Sequence, residues 1–413
     1  MPTPAEDTLD LTITGVAHGG VFVARHEGRV VFVSDAIPGE RVRARLTDTN
    51  KKSFWRAETV EVLEASEHRR PHVWAPADIS HAPEDRPGGA DFGHVDLAHQ
   101  RTLKSDVLTD ALRRFGGIER SVDVRAVDGE TDGLRWRTRV SLHVDDAGNV
   151  GPYAARSHRV IPVEELPLAT LPIERAADKL FAGRGDRIDL VQPADGRVRV
   201  INRRAEQNAR EQHEVVVETV GQREFQVDAD GFWQVHRGAA ATLDAAIRRL
   251  LGDEHVDPDA WHLDLYGGVG LFGATVADLG GSRITSVEAD ARATEHAGEN
   301  LSEWVGARAE TARVDRYLRS LVQGASAREK ERLAQGVVVL DPPRTGAGRG
   351  VVTDLAALSP RTIVYVACDP VALARDLGTF RELGYAADAI EAFDLFPHSH
   401  HLETVALLHR ADG

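Results

Sequence analysis

Four short apolar runs in the last third of the chain each end in turn chemistry, and this repetition restricts the fold more than any other feature. Trp261-His262-Leu263-Asp264-Leu265 runs into Tyr266-Gly267-Gly268-Val269-Gly270, and Ile284-Thr285-Ser286-Val287 ends at Glu288. Val337-Val338-Val339-Leu340 runs into Asp341-Pro342-Pro343-Arg344, and Thr362-Ile363-Val364-Tyr365-Val366-Ala367 into Cys368-Asp369-Pro370. Continuous apolar runs of this length are strands buried on both faces, as in a parallel sheet covered by helices. Such sheets bind ligands beyond the carboxyl ends of their strands, so Asp264, Asp341 and Cys368 are expected to share one crevice.

Gly268-Val269-Gly270-Leu271-Phe272-Gly273 satisfies G-x-G-x-x-G after a strand, with Glu288 about 20 residues on to accept from ribose hydroxyls. The pattern fits both NAD and S-adenosylmethionine. Asp264, just before the loop, favours the second. A pyrophosphate wants no carboxylate at that turn, whereas an ammonium and a sulfonium are attracted to one. The two prolines after Asp341 fix its backbone beside the site. Arg344 stands where methyltransferases of exocyclic nitrogens often carry a stacking aromatic, which argues against amino-group methylation. Phe396-Pro397-His398-Ser399-His400-His401-Leu402-Glu403 holds three histidines without a companion at metal-ligand spacing, so no metal is assigned. Cys368 is the only cysteine, which excludes an internal disulfide and a cysteine-rich metal site.

The rest of the chain reads differently. Leu11 to Ile13, Val21 to Val23, Val30 to Val33, Val42 to Arg45 and Ala57 to Val62 are short β-type runs between Gly- and Pro-bearing turns, as in an OB-like barrel. Ser66 to Arg86 reads as a polar linker, and the spacing of Leu103, Val107, Leu108, Leu112 and Phe115 predicts a helix over 97–115. Strand-like segments dominate 122–227, and a helix is predicted over 239–251. The division is a barrel at 1–65, linker and helix at 66–121, a mixed, largely β, RNA-binding central domain at 122–233, and an α/β, Rossmann-like methyltransferase domain at 234–413. A net charge of −15 argues against nonspecific coating of nucleic acid. Two basic stretches, Arg41 to Arg56 and Arg135 to Arg139, remain candidates for contacting RNA. No apolar run is long enough to span a membrane and no signal peptide is evident, so a cytoplasmic protein is expected.

Gly19-Gly20, Gly28-Arg29-Val30-Val31-Phe32-Val33 and Ile37-Pro38-Gly39-Glu40 resemble a TRAM domain, an RNA-binding barrel. Gly231-Phe232-Trp233-Gln234-Val235, Leu263 to Gly270, Leu340-Asp341-Pro342-Pro343-Arg344, Val364 to Asp376 and Phe396 to Glu403 resemble the bacterial RNA uracil-5-methyltransferases, which act on rRNA or tRNA. The resemblance implies Cys368 as nucleophile and Glu403 as base. It also implies Gln234, Tyr266, Glu288 and Asp341 as residues that bind the cofactor S-adenosyl-L-methionine or frame the site, and Asp315 as an adenine contact. Its substrate would be a single-stranded or loop uridine in RNA, with no membrane and no required protein partner. Many members of the family hold an iron–sulfur cluster on four cysteines. Here Pro87-Gly88-Gly89-Ala90-Asp91-Phe92 and Leu166 stand at the matching positions, so no cluster is expected. Cytosine-5 methylation, a non-catalytic RNA-binding role and NAD-dependent oxidation are the competing readings.

Overall fold

The computed structural model describes residues 8–180, 186–203, 213–252 and 256–411. Alternation closes the first segment on itself. Strands β1 (Thr8–Ala17), β2 (Val21–His26), β3 (Arg29–Ser34), β4 (Arg41–Asp48) and β5 (Phe54–Glu64) form a closed barrel in the order β1-β2-β3-β5-β4. Leu11, Ile13, Phe22, Ala24, Val31 and Val33 recur at every second position and fill its interior. The arginines of β4 do not form a free basic face. Arg41 pairs with Glu64, Arg43 with Asp10 and Glu61, and Arg45 with Glu84. Lys51, Lys52 and Arg56 stay exposed. Arg56 lies over the Phe54 ring, and Arg29 over Trp55 at 4.1 Å.

The stretch expected as a linker is a packed strap. Arg69 donates to both carboxylate oxygens of the buried Glu40, at 2.6 and 2.7 Å. Arg86 is buried and donates to Asp35 and to the carbonyls of Thr59, Ile79 and His81. Polar composition concealed these contacts because the barrel partners, Glu40, Asp35 and Thr59, lie far off in sequence. Helix α1 (Leu97–Ala111) follows, capped by Asp96, and continues as a π turn over Leu112–Gly116. Its Leu103 enters the barrel core while Leu108 and Ala111 enter the core of the large sheet, so one helix joins both.

Strand β6 (Val124–Ala126), expected in the central region, instead forms an edge of the large sheet. The central region holds β7 (Arg139–Val144), β8 (Val150–Gly151), helix α2 (Leu171–Ala177), β9 (Arg187–Val191) and β10 (Arg199–Arg203), with strand order β10-β9-β7-β8. A ribbon of β11 (Val215–Val220) and β12 (Arg223–Asp228) follows. Ala90 and Leu166, which stand at the positions matching the family's cluster cysteines, are buried in one apolar cluster with Trp74, Trp136 and Leu168.

The remaining chain alternates helix and strand. It runs through α3 (Ala239–Leu251), β13 (His262–Leu265), α4 (Leu271–Asp278), β14 (Ile284–Glu288), α5 (Ala291–Asn300) and β15 (Arg308–Thr311). Then come α6 (Val314–Gly324), α7 (Ala327–Ala334), β16 (Val337–Leu340), α8 (Gly348–Leu358) and β17 (Thr362–Ala367). Helix α9 (Pro370–Glu382), β18 (Tyr385–Asp394) and β19 (Glu403–Arg410) complete it. The sheet order is β15-β14-β13-β16-β17-β19-β18-β6. The segment from β15 to β17 is parallel, and β19 pairs antiparallel with β17. No helix among the described residues is long and apolar enough to cross a membrane.

The loop between β18 and β19 is held from α1 by a fully buried ion pair. Lys104 Nζ donates to Asp394 Oδ1 at 2.5 Å and to the Phe396 carbonyl at 3.1 Å. Removing one partner of such a pair strands a charge in a dry site, at a cost of about 3 kcal/mol or more. Lys104→Met is expected to lose about 3 kcal/mol of unfolding free energy, and Lys104→Met with Asp394→Leu to recover most of it. Urea titration followed by tryptophan fluorescence measures both, and a double variant as weak as the single one contradicts the assignment.

Candidate active site

Sheet order alone brings the sequence-predicted groups to one edge. β13, β16 and β17 are adjacent and parallel, so Tyr266, Asp341 and Cys368 all follow carboxyl ends on the same side. β19 runs back from that side with Thr404 opposite Ala367, which sets Glu403 across from Cys368.

The glycine loop is shaped around Asp264. This carboxylate is buried, and its Oδ2 accepts from Gly273 N at 3.1 Å and from Ser286 Oγ at 2.9 Å. Its Oδ1 is buried without a partner among the described residues. A Cβ at Gly267 would fall 2.0 Å from Ser286 Oγ, so the Ser286 bond and a side chain at 267 exclude one another. Glu288 accepts from Gly268 N, Ala289 N and Asp290 N, which closes the loop from the neighbouring strand. Tyr266 has φ of 62°, and burial together with the Asp315 carboxylate pushes its phenol up to about 12. Asp315, in the first turn of α6, pairs with Arg313 at 3.0 Å. Gln234 lies in the segment entering α3, half-buried, and its side chain makes no hydrogen bond among the described residues. Phe232 beside it is 73% exposed, although it is a large aromatic next to a buried Trp233.

The ionisable groups of the crevice are mostly acidic, with Arg344 opposing them. Loss of hydration lifts the Asp264 carboxyl to about 6, while its two hydrogen bonds pull it down. Asp341 rises to about 7 through loss of hydration and the nearby Asp264 charge. Glu403, buried, is raised well above the usual range by desolvation and by Asp341, with Arg344 opposing. Desolvation, then Glu403 and Asp341, push the Cys368 thiol up to about 12, and again Arg344 opposes. A cavity of about 100 Å³ opens beside Cys368, lined in part by Arg344, His401, Leu402, Phe92 and the barrel turn at His18.

Two groups were not identified from sequence. Asp376 accepts from Tyr365 Oη at 2.6 Å and from Ala347 N and Gly348 N, and so anchors the loop that carries Arg344. His18, on the turn between β1 and β2, lies 2.8 Å from Asp369. The basic stretch at 135–139 is mostly internal. Arg135 pairs with Glu174 and Arg139 with Glu218. Arg137 alone among these three has no carboxylate partner among the described residues, and burial followed by repulsion from Arg344 lowers its pKa.

An α/β sheet with a glycine loop at its first strand, an acid at the end of the second, and an acid-rich crevice has the form of a Rossmann-like methyltransferase joined to an OB-like barrel. Comparison with known proteins agrees. The TRAM domain family matches residues 6–55, and the tRNA (Uracil-5-)-methyltransferase family matches residues 318–411. An uncharacterized RNA methyltransferase of Streptomyces avermitilis is 38% identical over 98% of this chain and 99% of its own length. Another from Bifidobacterium longum is 34% identical over 97% of this chain and 96% of its own. The Pyrococcus abyssi tRNA (uracil-54, C5)-methyltransferase, solved with S-adenosyl-L-homocysteine, superposes with a TM-score of 0.69 at 20% identity, covering 96% of this chain and 99% of that one. The chain belongs to the TRAM-bearing RNA methyltransferases of the uracil-5 type, enzymes whose methyl donor is S-adenosylmethionine. The donor's ammonium and sulfonium suit a crevice whose carboxylates are starved of counter-charge, and the orphaned Asp264 Oδ1 is a ready acceptor within it.

Carboxyl groups raised on folding bind protons more tightly in the native state. Their penalty is absent below about pH 4, the unfolded value. It grows as pH rises through about 6 for Asp264 and about 7 for Asp341. The free protein is therefore expected to lose stability between about pH 4 and about pH 7, and Asp341→Asn to flatten that loss. Thermal unfolding at each pH tests this, and parallel slopes for the two proteins refute it.

Proposed function

We propose that the protein methylates carbon 5 of a uridine in a loop or single-stranded stretch of rRNA or tRNA, in the cytoplasm, through a covalent adduct on Cys368. The observation that carries this reading is the β17–β19 register, which faces a thiol with a buried carboxylate at a crevice suited to a sulfonium donor. Carbon 5 of uracil is a weak nucleophile, and a thiol beside a carboxylate is what its activation requires.

Bound S-adenosylmethionine supplies an electrophilic methyl carbon. Gln234, Tyr266, Glu288, Asp315 and Asp341 hold it or frame it, with Glu288 on the ribose and Asp315 at the adenine edge. Cys368 must lose its proton before it can react. Its raised pKa falls as positive charge enters the crevice, and Arg344 already acts in that direction. Helix α9 begins two residues beyond Cys368 and adds the positive end of its dipole. The thiolate adds to carbon 6, and the electron pair of the 5,6 double bond moves into an enolate. Carbon 5 then takes the methyl group as the sulfur–methyl bond breaks and its electron pair stays on the now neutral sulfur. Glu403 in its ionised form removes the carbon 5 proton, the double bond re-forms, and the thiolate leaves. Asp341, held by two prolines, orients the base beside this pair.

A stacked uridine cannot reach the crevice, so the target must be unstacked, at a cost of a few kcal/mol. Arg137 and Arg344 are the cations placed to receive its backbone near the thiol. Exposed Lys51, Lys52 and Arg56 beside Phe54 and Trp55 offer the barrel a stacking and charge platform for flanking nucleotides.

RNA containing 5-fluorouridine tests the chemistry, because fluorine cannot leave as a cation and the adduct stalls. With S-adenosylmethionine present, the wild type is expected to give a crosslinked band on a denaturing gel, and Cys368→Ala none. Glu403→Gln is expected to accumulate the adduct on ordinary RNA, with turnover reduced by at least about 10²-fold. Free turnover by that variant removes Glu403 from its role. A wild type that methylates RNA without ever forming the band removes the covalent route.

A further inference from the structure

One wall of the pocket beside Cys368 comes from outside the catalytic sheet. The β1–β2 turn of the barrel, Ala17 to Gly20, lines it together with Arg344, Cys368 and Leu402. Two contacts pin this turn. His18 Nε2 lies 2.8 Å from Asp369 Oδ2, while Asp369 Oδ1 accepts from Val371 N and Ala372 N and so caps α9. Gly20, with φ of 72°, packs so closely on His400 that a Cβ there would fall 2.9 Å from the ring Nδ1. His400 is itself held by Asp91 at 2.7 Å. The turn is therefore fastened to both loops that flank the thiol, one carrying Cys368 and the other leading to Glu403.

We infer that His18 is a positioning residue for methyl transfer. By tying the barrel's first turn to Asp369, it fixes the opening through which a target nucleotide enters and the backbone next to the nucleophile. The inference deepens the reading of Cys368 given above and rests on it. It gives the barrel a role distinct from RNA affinity. A barrel that only tethers RNA would act on binding, and excess RNA would make up for its loss. A barrel that walls the pocket acts on the bound complex, where excess RNA changes nothing. The His18 side chain is 46% exposed and contributes no core packing, so its truncation leaves the fold standing.

Transfer of labelled methyl from S-adenosylmethionine into bulk RNA from cells lacking this enzyme measures the two effects separately. Single-turnover rates are taken with the full-length protein at RNA concentrations up to saturation. His18→Ala is expected to lower the saturating rate on the order of tenfold, the scale of a small misplacement of reacting groups, and to move the half-saturating RNA concentration by less than ~2-fold. His18→Gln keeps a donor for Asp369 and is expected to recover most of the rate. Gly20→Ala, which drives the turn off His400, is expected to slow the saturated step as His18→Ala does. A His18→Ala defect that high RNA abolishes, or no defect, overturns the inference. A wild type that leaves uracil unmethylated overturns the underlying function instead, and the wild-type lane reports that independently.

Discussion

Pairing of β19 against β17, with Thr404 opposite Ala367, is the constraint on which the site depends. In a purely parallel sheet every strand brings its carboxyl end to the crevice, and a residue at a strand's start would lie on the far side. The antiparallel return puts Glu403, the first residue of β19, beside a thiol that follows the last residue of β17. The loop from β18 must then reach this point in a fixed conformation. Lys104 holds Asp394 and Phe396, and Gln100 accepts from His398 N at 2.8 Å, while its amide donates to the Phe92 and Val95 carbonyls. The inner face of α1 therefore carries Gln100 and Lys104 among Leu103, Leu108 and Ala111, although the helix runs between two cores.

Electrostatics in the crevice separates the competing cofactors more firmly than the glycine pattern does. A dinucleotide pyrophosphate would bring negative charge next to Asp264 and Glu288 in a site where Asp264, Asp341 and Glu403 already hold their protons too tightly. A sulfonium and an ammonium relieve the same field. The thiol follows that logic, since every cation entering lowers the cost of its ionised form. Many of the surface arginines are engaged with carboxylates, as Arg41, Arg43 and Arg45 are on the barrel, while Arg137 has no carboxylate partner among the described residues.

Local pattern made the elements legible, and tertiary contact hid what joins them. The five barrel strands, the helix at 239–251 and the four strand ends around the thiol all follow from period and turn chemistry, because each is decided within about ten residues. The crevice of Asp264, Asp341 and Cys368 followed from topology. Glu403 came only from resemblance, since nothing local tells a strand's first residue that it faces a thiol 35 positions earlier. The 66–86 strap read as linker because its stabilising partners, Glu40, Asp35 and Thr59, belong to a different unit. The arginines at 41–45 and 135–139 read as a basic surface because sequence gives charge but not the carboxylate opposite. β6 was misplaced because three residues carry too little pattern to name their sheet.

The region in which the resemblance leads one to expect cluster cysteines is packed with apolar side chains. Trp74, Ala90, Trp136, Leu166 and Leu168 sit in a single apolar cluster, and burial of a large apolar side chain is worth about 1.5–3 kcal/mol relative to exposure. Backbone bonds fix the strap as well, with Gly88 N donating to Tyr153 O and Phe92 N to His398 O. The second of these ends on the loop before Glu403, so the strap also fixes that loop. It does so without thiols, which leaves Cys368, half-buried beside Glu403, as the one cysteine of the chain.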